Sequence, residues 1–254
     1  MDVAFSGPQN TGGAGTDTLA GIETLVGSRF DDELIGGDSA DSLSGGVGRD
    51  ELGGGLGDGT MTGGAGMDTI DFSEASTAVT VGLAAGTAAG GGGGDTLSGV
   101  ENVIGSASGD TLTGDANANV LSGSLGPDAL ERRSGEDTLD GGDESDTAVF
   151  SAAGVPVRVD LGAGTSSGDG DGRPGLDERA VGTAFDDRLL GSSVRNHLNG
   201  GPGADRLFGR LGPGPDTCGE APDATTWPDA RREPGVHRPE TERPSNLGLL
   251  GHRS

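Results

Sequence analysis

The stretch GGAGMDTID, residues 63–71, sets Gly63, Gly64 and Gly66 ahead of Asp68 and places Ile70 between two polar neighbours. The same spacing returns as GGAGTDTLA at 12–20, GGVGRDELG at 45–53 and GGPGADRLF at 200–208. Written as G-G-x-G-x-D-x-U-x, with U a large aliphatic residue, the unit can be laid in register fifteen times. Its eighth positions are Leu19, Leu34, Leu43, Leu52, Met61, Ile70, Leu97, Leu112, Leu121, Leu130, Leu139, Ala148, Leu189, Leu198 and Leu207. Fourteen of the fifteen are Leu, Ile or Met, types that supply only 30 of the 254 residues, which a flexible Gly-rich linker would not produce.

Six Gly-rich residues make a turn, because glycine takes positive φ and lets backbone groups crowd together without a Cβ between them. The remaining x-U-x makes a short strand with residue eight pointing inward and its neighbours outward. Two turns and two strands then close one 18-residue coil, and stacked coils pile U upon U. The pattern predicts an all-β chain, a parallel β-roll or β-helix solenoid around a thin aliphatic ladder.

Composition says that this ladder needs help. Leu, Ile, Val and Phe number 48 of 254, under the fifth that separates globular from disordered chains, and 54 glycines each cost backbone entropy to order. Residues 1–209 hold 34 of the 41 acidic side chains and 10 of the 16 arginines. So acidic a surface excludes nucleic acid as a partner and asks for a cation. Cys218 is the only cysteine, which leaves no internal disulfide framework and no cysteine-rich zinc site. The start, MDVAFSGPQN, shows neither the basic nor the apolar region of a signal peptide, and no apolar run reaches membrane-spanning length.

A longer period lies above the short one. FSEASTAVTVGLAAGT at 72–87 matches FSAAGVPVRVDLGAGT at 150–165, 78 residues on, and reads as an alternating strand around Val79 and Val81, or Val157 and Val159. GIETLV at 21–26 matches GVENVI at 99–104, and five nine-residue units follow each, over 27–71 and 105–149. The register run backwards from Val79 reaches Met1, so the chain is expected to begin inside a module, as a fragment or a mis-started reading would. The array is expected over 1–209. Residues 210–254, with 7 of the 12 prolines and 6 of the 16 arginines, read as a disordered tail or a shifted reading frame, in which Trp227, His237 and His252 are incidental.

Stacking also piles position six upon position six, about 4.8 Å apart, where two carboxylates repel by roughly 1 kcal/mol in water and more where water is excluded. A hard cation between them reverses the sign. Calcium suits two carboxylates and bare glycine carbonyls in a flexible geometry, whereas magnesium wants a stricter octahedron and transition metals want His or Cys, of which the array has only His197. The candidate ligands are Asp17, Asp32, Asp41, Asp50, Asp68, Asp95, Asp110, Asp128, Asp137, Asp146, Asp187 and Asp205. Asp32, Asp50 and Asp68 form one column at 18-residue spacing, Asp110, Asp128 and Asp146 its counterpart in the next module, and Asp187 with Asp205 begin a third. The opposite edge is expected to be weak, with Gly59, Asn119 and Asn196 where Asp should stand, and Arg132 and Arg133 leading RRSGEDTLD. SGDGDGRPG at 167–175 lacks the Gly and closing Glu of an EF-hand loop.

These units resemble the calcium-binding nonapeptide repeats of secreted RTX proteins, also called hemolysin-type repeats, over about residues 1–209. Four units, at 12–20, 45–53, 63–71 and 200–208, match the full pattern. The resemblance implies a parallel β-roll, calcium held between turns of successive coils, and folding outside the cell after export unfolded. Linkers such as GVENVI also resemble interruptions common in such arrays.

The expected function is therefore calcium binding by a secreted repeat domain that serves as scaffold, spacer or adhesin part. No HExxH motif and no Tyr is present, and paired Asp residues that recur with the coil read as ligands and not as a glycosidase dyad, so no enzyme is expected within these residues. They could be the non-catalytic portion of a larger secreted enzyme or toxin. A third reading has outward rows such as Thr18, Thr69, Thr96, Thr111, Thr138 and Thr147 recognise carbohydrate or ice, which a continuous row would favour and the module interruptions oppose.

Overall fold

The three-residue strands do what x-U-x demands. Glu33–Ile35, Glu51–Gly53 and Thr69–Asp71 bury Leu34, Leu52 and Ile70, and these strands pair in parallel with Leu34 opposite Leu52 and Leu52 opposite Ile70. Across the core Leu25, Leu43 and Met61 stack in the same way. The computed structural model describes residues 8–10, 16–162, 165–166, 177–209, 217–219 and 225–226, with side chains over 19–162 and 178–209. Every element among these residues is a strand. A 12-stranded sheet forms one wall, and sheets of six and five strands face it from the other. The architecture is the expected parallel β-roll.

Each linker inserts extra strands into one wall only. Val79–Gly82, Thr87–Gly90 and Gly93–Ser98 run as an antiparallel meander within the 12-stranded sheet, joined in parallel to Thr60–Gly66 at one side and Thr111–Thr113 at the other. On the opposite wall Thr69–Asp71 passes directly to Asn102–Ile104. In the next linker the sides are exchanged. Thr147–Val149 passes directly to Asp177–Val181 within the 12-stranded sheet, while Arg158–Asp160 and Thr165–Ser166 enter the facing one. Five units, each half a coil, separate the linkers, and an odd number of half-coils brings the second insertion to the opposite wall. Phe72 and Phe150 are buried where the two linkers leave the ladder.

The aliphatic ladder forms two clusters, over Leu25–Leu139 and Phe150–Leu207, which share Ala148. Beyond residue 209, Thr217–Gly219 and Thr225–Thr226 pair in parallel with Arg195–Asn199 and Arg206–Phe208, which sets Cys218 opposite Leu198. The rest of 210–254, including Trp227, His237 and His252, and the stretch 167–175 lie outside the described residues.

Candidate metal sites

Position six is where the coils are joined. The Asp32 amide N–H donates to Asp50 Oδ1 at 2.9 Å, and the Asp50 N–H to Asp68 Oδ1 at 2.9 Å. The same bond links Asp110 to Asp128 (2.7 Å), Asp128 to Asp146 (2.9 Å), Asp187 to Asp205 (2.8 Å) and Asn119 to Asp137 (2.9 Å). One carboxylate oxygen of each residue is thus committed to the coil before it.

The other oxygen divides the turns into two kinds. In the first two turns of each module it accepts the N–H of position two: Ser28 to Asp32 Oδ2 (2.5 Å), Gly37 to Asp41 Oδ2 (2.5 Å), Ser106 to Asp110 Oδ2 (2.6 Å) and Thr183 to Asp187 Oδ2 (2.5 Å). Asn119 and Asn196 accept the same bond from Asp115 and Ser192 through their single carbonyl oxygen. In the later turns position two is left-handed, with φ of 108° at Gly46, 121° at Gly64, 80° at Ser124, 65° at Arg133, 93° at Gly142 and 84° at Gly201. That rotation of the peptide takes the N–H away. Oδ2 of Asp50, Asp68, Asp128, Asp137 and Asp205 is consequently buried with no hydrogen-bond partner.

A buried carboxylate oxygen without a donor is costly and calls for a ligand. Position one lets that oxygen lie against a bare Cα. A Cβ on Gly45, Gly123, Gly141 or Gly200 would overlap Oδ2 of Asp50, Asp128, Asp146 or Asp205, and at Gly123 it would also meet the Gly141 carbonyl oxygen. Carboxylate and carbonyl oxygens therefore converge over a bare Cα. Among the described residues no three His, Cys, Asp or Glu side chains come together, so any ion held here must draw on backbone carbonyls, as calcium does. Burial, with like-charged neighbours adding to it, raises the carboxyls of Asp50, Asp146 and Asp205 and pushes Asp128 up to about 7. The donor set fits a hard divalent cation.

A family model described as the RTX calcium-binding nonapeptide repeat matches residues 18–52, 133–148 and 181–213, in four copies. Those stretches carry RTX calcium-binding repeats. The repeat family binds Ca2+, and calcium is the chain's partner. No curated protein matches the chain.

The columns join the residues that the 18-residue spacing predicts, but they do not keep to one edge. Asp32, Asp50 and Asp68 precede strands of the six-stranded sheet, whereas Asp110, Asp128 and Asp146 precede strands of the 12-stranded one, so the carboxylate-rich column changes edges from module to module. The cause is again the odd number of half-coils. On the poorer edge Asp95 fills the gap at Gly59, accepting the Gly59 N–H at 2.8 Å through Oδ1 and leaving Oδ2 buried and unpartnered. Arg132, buried with its guanidinium 5.4 Å from the Phe150 ring, partly offsets the burial that raises Asp137. Asp17 lies in the strand Thr16–Thr18, and its side chain is outside the described residues.

One acid escaped the sequence reading. The Asp68 N–H donates to Glu101 Oε2 at 2.9 Å, the place an Asp of the next coil would take. The signal was available: the nine-residue register continued back into the linkers puts Glu23, Glu101 and Glu178 at position six, and Leu25, Val103 and Ala180, all buried, at position eight.

Proposed function

We propose that calcium is the switch that folds this array over residues 1–209, and that the array works outside the cell as a scaffold, spacer or adhesin part. The observation that carries the reading is the set of buried, donorless Oδ2 atoms on Asp50, Asp68, Asp128 and Asp205 in left-handed turns. Without the ion each such oxygen lacks a partner and faces like charges along its column. Calcium supplies the missing positive charge. The chain's own residues fix the geometry: Oδ1 holds the coil spacing, the left-handed position-two residue turns its N–H aside, and the position-one glycine lets the carboxylate approach its bare Cα. Because such sites do not exist in the unfolded chain, binding free energy is folding free energy.

Extracellular calcium modules bind at about 10⁻⁴ to 10⁻³ M, so cytosolic calcium would leave the chain unfolded and export-competent. Free calcium tenfold above the dissociation constant contributes roughly 1.4 kcal/mol per site. Circular dichroism across a calcium titration tests this: β signal should appear in the millimolar range, and a spectrum unchanged up to several millimolar would sink it.

A second reading gains one observation. The exposed hydroxyls of Thr24, Ser42, Thr60, Thr96 and Thr87 face outward from neighbouring strands of the 12-stranded sheet, so this row runs into the linker and ends only at Gly82. Such a row could contact a polysaccharide. Retention of the calcium-loaded protein on immobilised glycans, lost in a Thr60→Lys variant, would support it.

A further inference from the structure

We infer that the linker glutamates close the calcium columns: Glu101 with Asp68 forms a further cation site at the end of the first module, and Glu178 occupies the same place against Asp146 in the second. The inference rests on the calcium reading above. It concerns residues outside the nonapeptide turns.

Asp68 is fully buried and its Oδ2 has no hydrogen-bond partner, although no nonapeptide turn stacks on its open side. What stacks there is the linker segment Gly99-Val100-Glu101. A Cβ placed on Gly63 would overlap the Gly99 carbonyl oxygen and approach Asp68 Oδ2 to 2.7 Å. The arrangement copies Gly123, over which Asp128 Oδ2 and the Gly141 carbonyl oxygen converge. The linker therefore provides the carbonyl that position one of a next coil would give. Glu101 provides the carboxylate, its Oε2 taking the Asp68 N–H as Asp68 Oδ1 takes that of Asp50. The longer side chain compensates for a turn reduced to three residues. Backbone bonds fix the stack, with the Glu101 and Asn102 amides both donating to the Asp68 carbonyl oxygen, at 3.2 and 2.9 Å.

The second module repeats the register. Arg179 lies opposite Thr147 as Asn102 lies opposite Thr69, and the Arg179 N–H donates to the Asp146 carbonyl oxygen at 3.0 Å as Asn102 does to Asp68. The preceding residue is a glutamate both times. Each run of calcium turns thus ends on an acid that removes the need for another coil, and the insertion strands can leave the roll there without stranding a buried carboxylate.

Calorimetric titration of the full chain with calcium chloride tests this. Glu101→Gln keeps an oxygen for the Asp68 N–H but not the charge, and should bind one ion fewer than the parent, with the same far-ultraviolet spectrum at saturating calcium. Glu101→Asp keeps the charge on a side chain one methylene too short for the three-residue turn, and should also bind one ion fewer with the parent's spectrum at saturating calcium. Glu178→Gln should also lose one ion, and the double variant two. If the parent binds calcium and Glu101→Gln binds as many ions, this inference is overturned while the calcium reading stands; a parent that binds none overturns both.

Discussion

The opening turns of each module and the turns that follow share a nine-residue length and, with few exceptions, a position-one glycine and an aspartate, yet they use that aspartate differently. In GSASGD at 105–110 the Ser106 N–H bonds Asp110 Oδ2, the Ser106 hydroxyl bonds Oδ1 at 2.9 Å, and the Val79 N–H adds a third donor at 2.7 Å. In GSLGPD at 123–128, directly stacked upon it, Ser124 sits at φ 80° and Asp128 Oδ2 has nothing. The opening turn completes itself with protein donors, so the stack can begin without metal. The later turn cannot, so it grows only with an ion. The chain's own substitutions agree: Asn replaces Asp only at 119 and 196, both in opening turns, where a single carbonyl oxygen suffices.

The largest test of this contrast removes a later-turn carboxylate. Asp50→Ala deletes both the acceptor for the Asp32 N–H and a free Oδ2, and Asp50 stands between two stacked neighbours. It should lose two calcium ions and weaken calcium-induced folding by about 2–3 kcal/mol, at the per-site value above. Asp41→Ala, in an opening turn stacked below Gly59, should cost much less. Ion counts and urea midpoints at fixed calcium for the two variants decide it, and equal losses would erase the distinction.

Next in size is the pH dependence. Asp128, its carboxyl pushed up to about 7 by burial and by the charges of Asp146 and Asp110, keeps a proton in the metal-free fold that the unfolded chain gives up near pH 3.9. Any metal-free structure should therefore lose stability as pH rises from about 4 to 7, the native state binding more protons than the unfolded one in that window. Calcium must displace that proton. Its midpoint should fall between pH 5.5 and 8 by at most about tenfold per unit, with proton release visible as a buffer-dependent binding enthalpy. Asp128→Asn should flatten that slope.

A smaller effect should change sign between the two kinds of turn. Ser124→Gly relieves a left-handed non-glycine residue and should raise the calcium-loaded stability by about 1 kcal/mol. Ser106→Gly removes the hydroxyl bond to Asp110 and should lower it by about 0.5–1.5 kcal/mol. Thermal melts at saturating calcium measure both. The smallest change is Asp110→Asn, for which the calcium count should stay that of the parent and stability should move by less than about 1 kcal/mol, following the bond pattern of Asn119.

How much of this was legible in the sequence follows from which forces are local. The nine-residue spacing of Gly, Asp and Leu determined the turn, the three-residue strand, the 18-residue coil and the demand for calcium, because glycine's freedom and the alternation of a strand act within one unit and repeat without reference to the rest. The partition of Asp110 from Asp128 was only half visible, as a Ser or Thr at position two. Gly37 shows why, since glycine there still adopts the opening-turn bond. Its φ depends on whether a coil lies beneath it, which is a property of the stack. Tertiary structure alone decided that the rich column changes edges, that Asp95 reaches into the gap at Gly59, and that Glu101 closes upon Asp68. The last two join residues 36 and 33 positions apart across an insertion, and the path of an inserted meander is settled by which wall has an open strand edge, a fact that no single nine-residue unit contains.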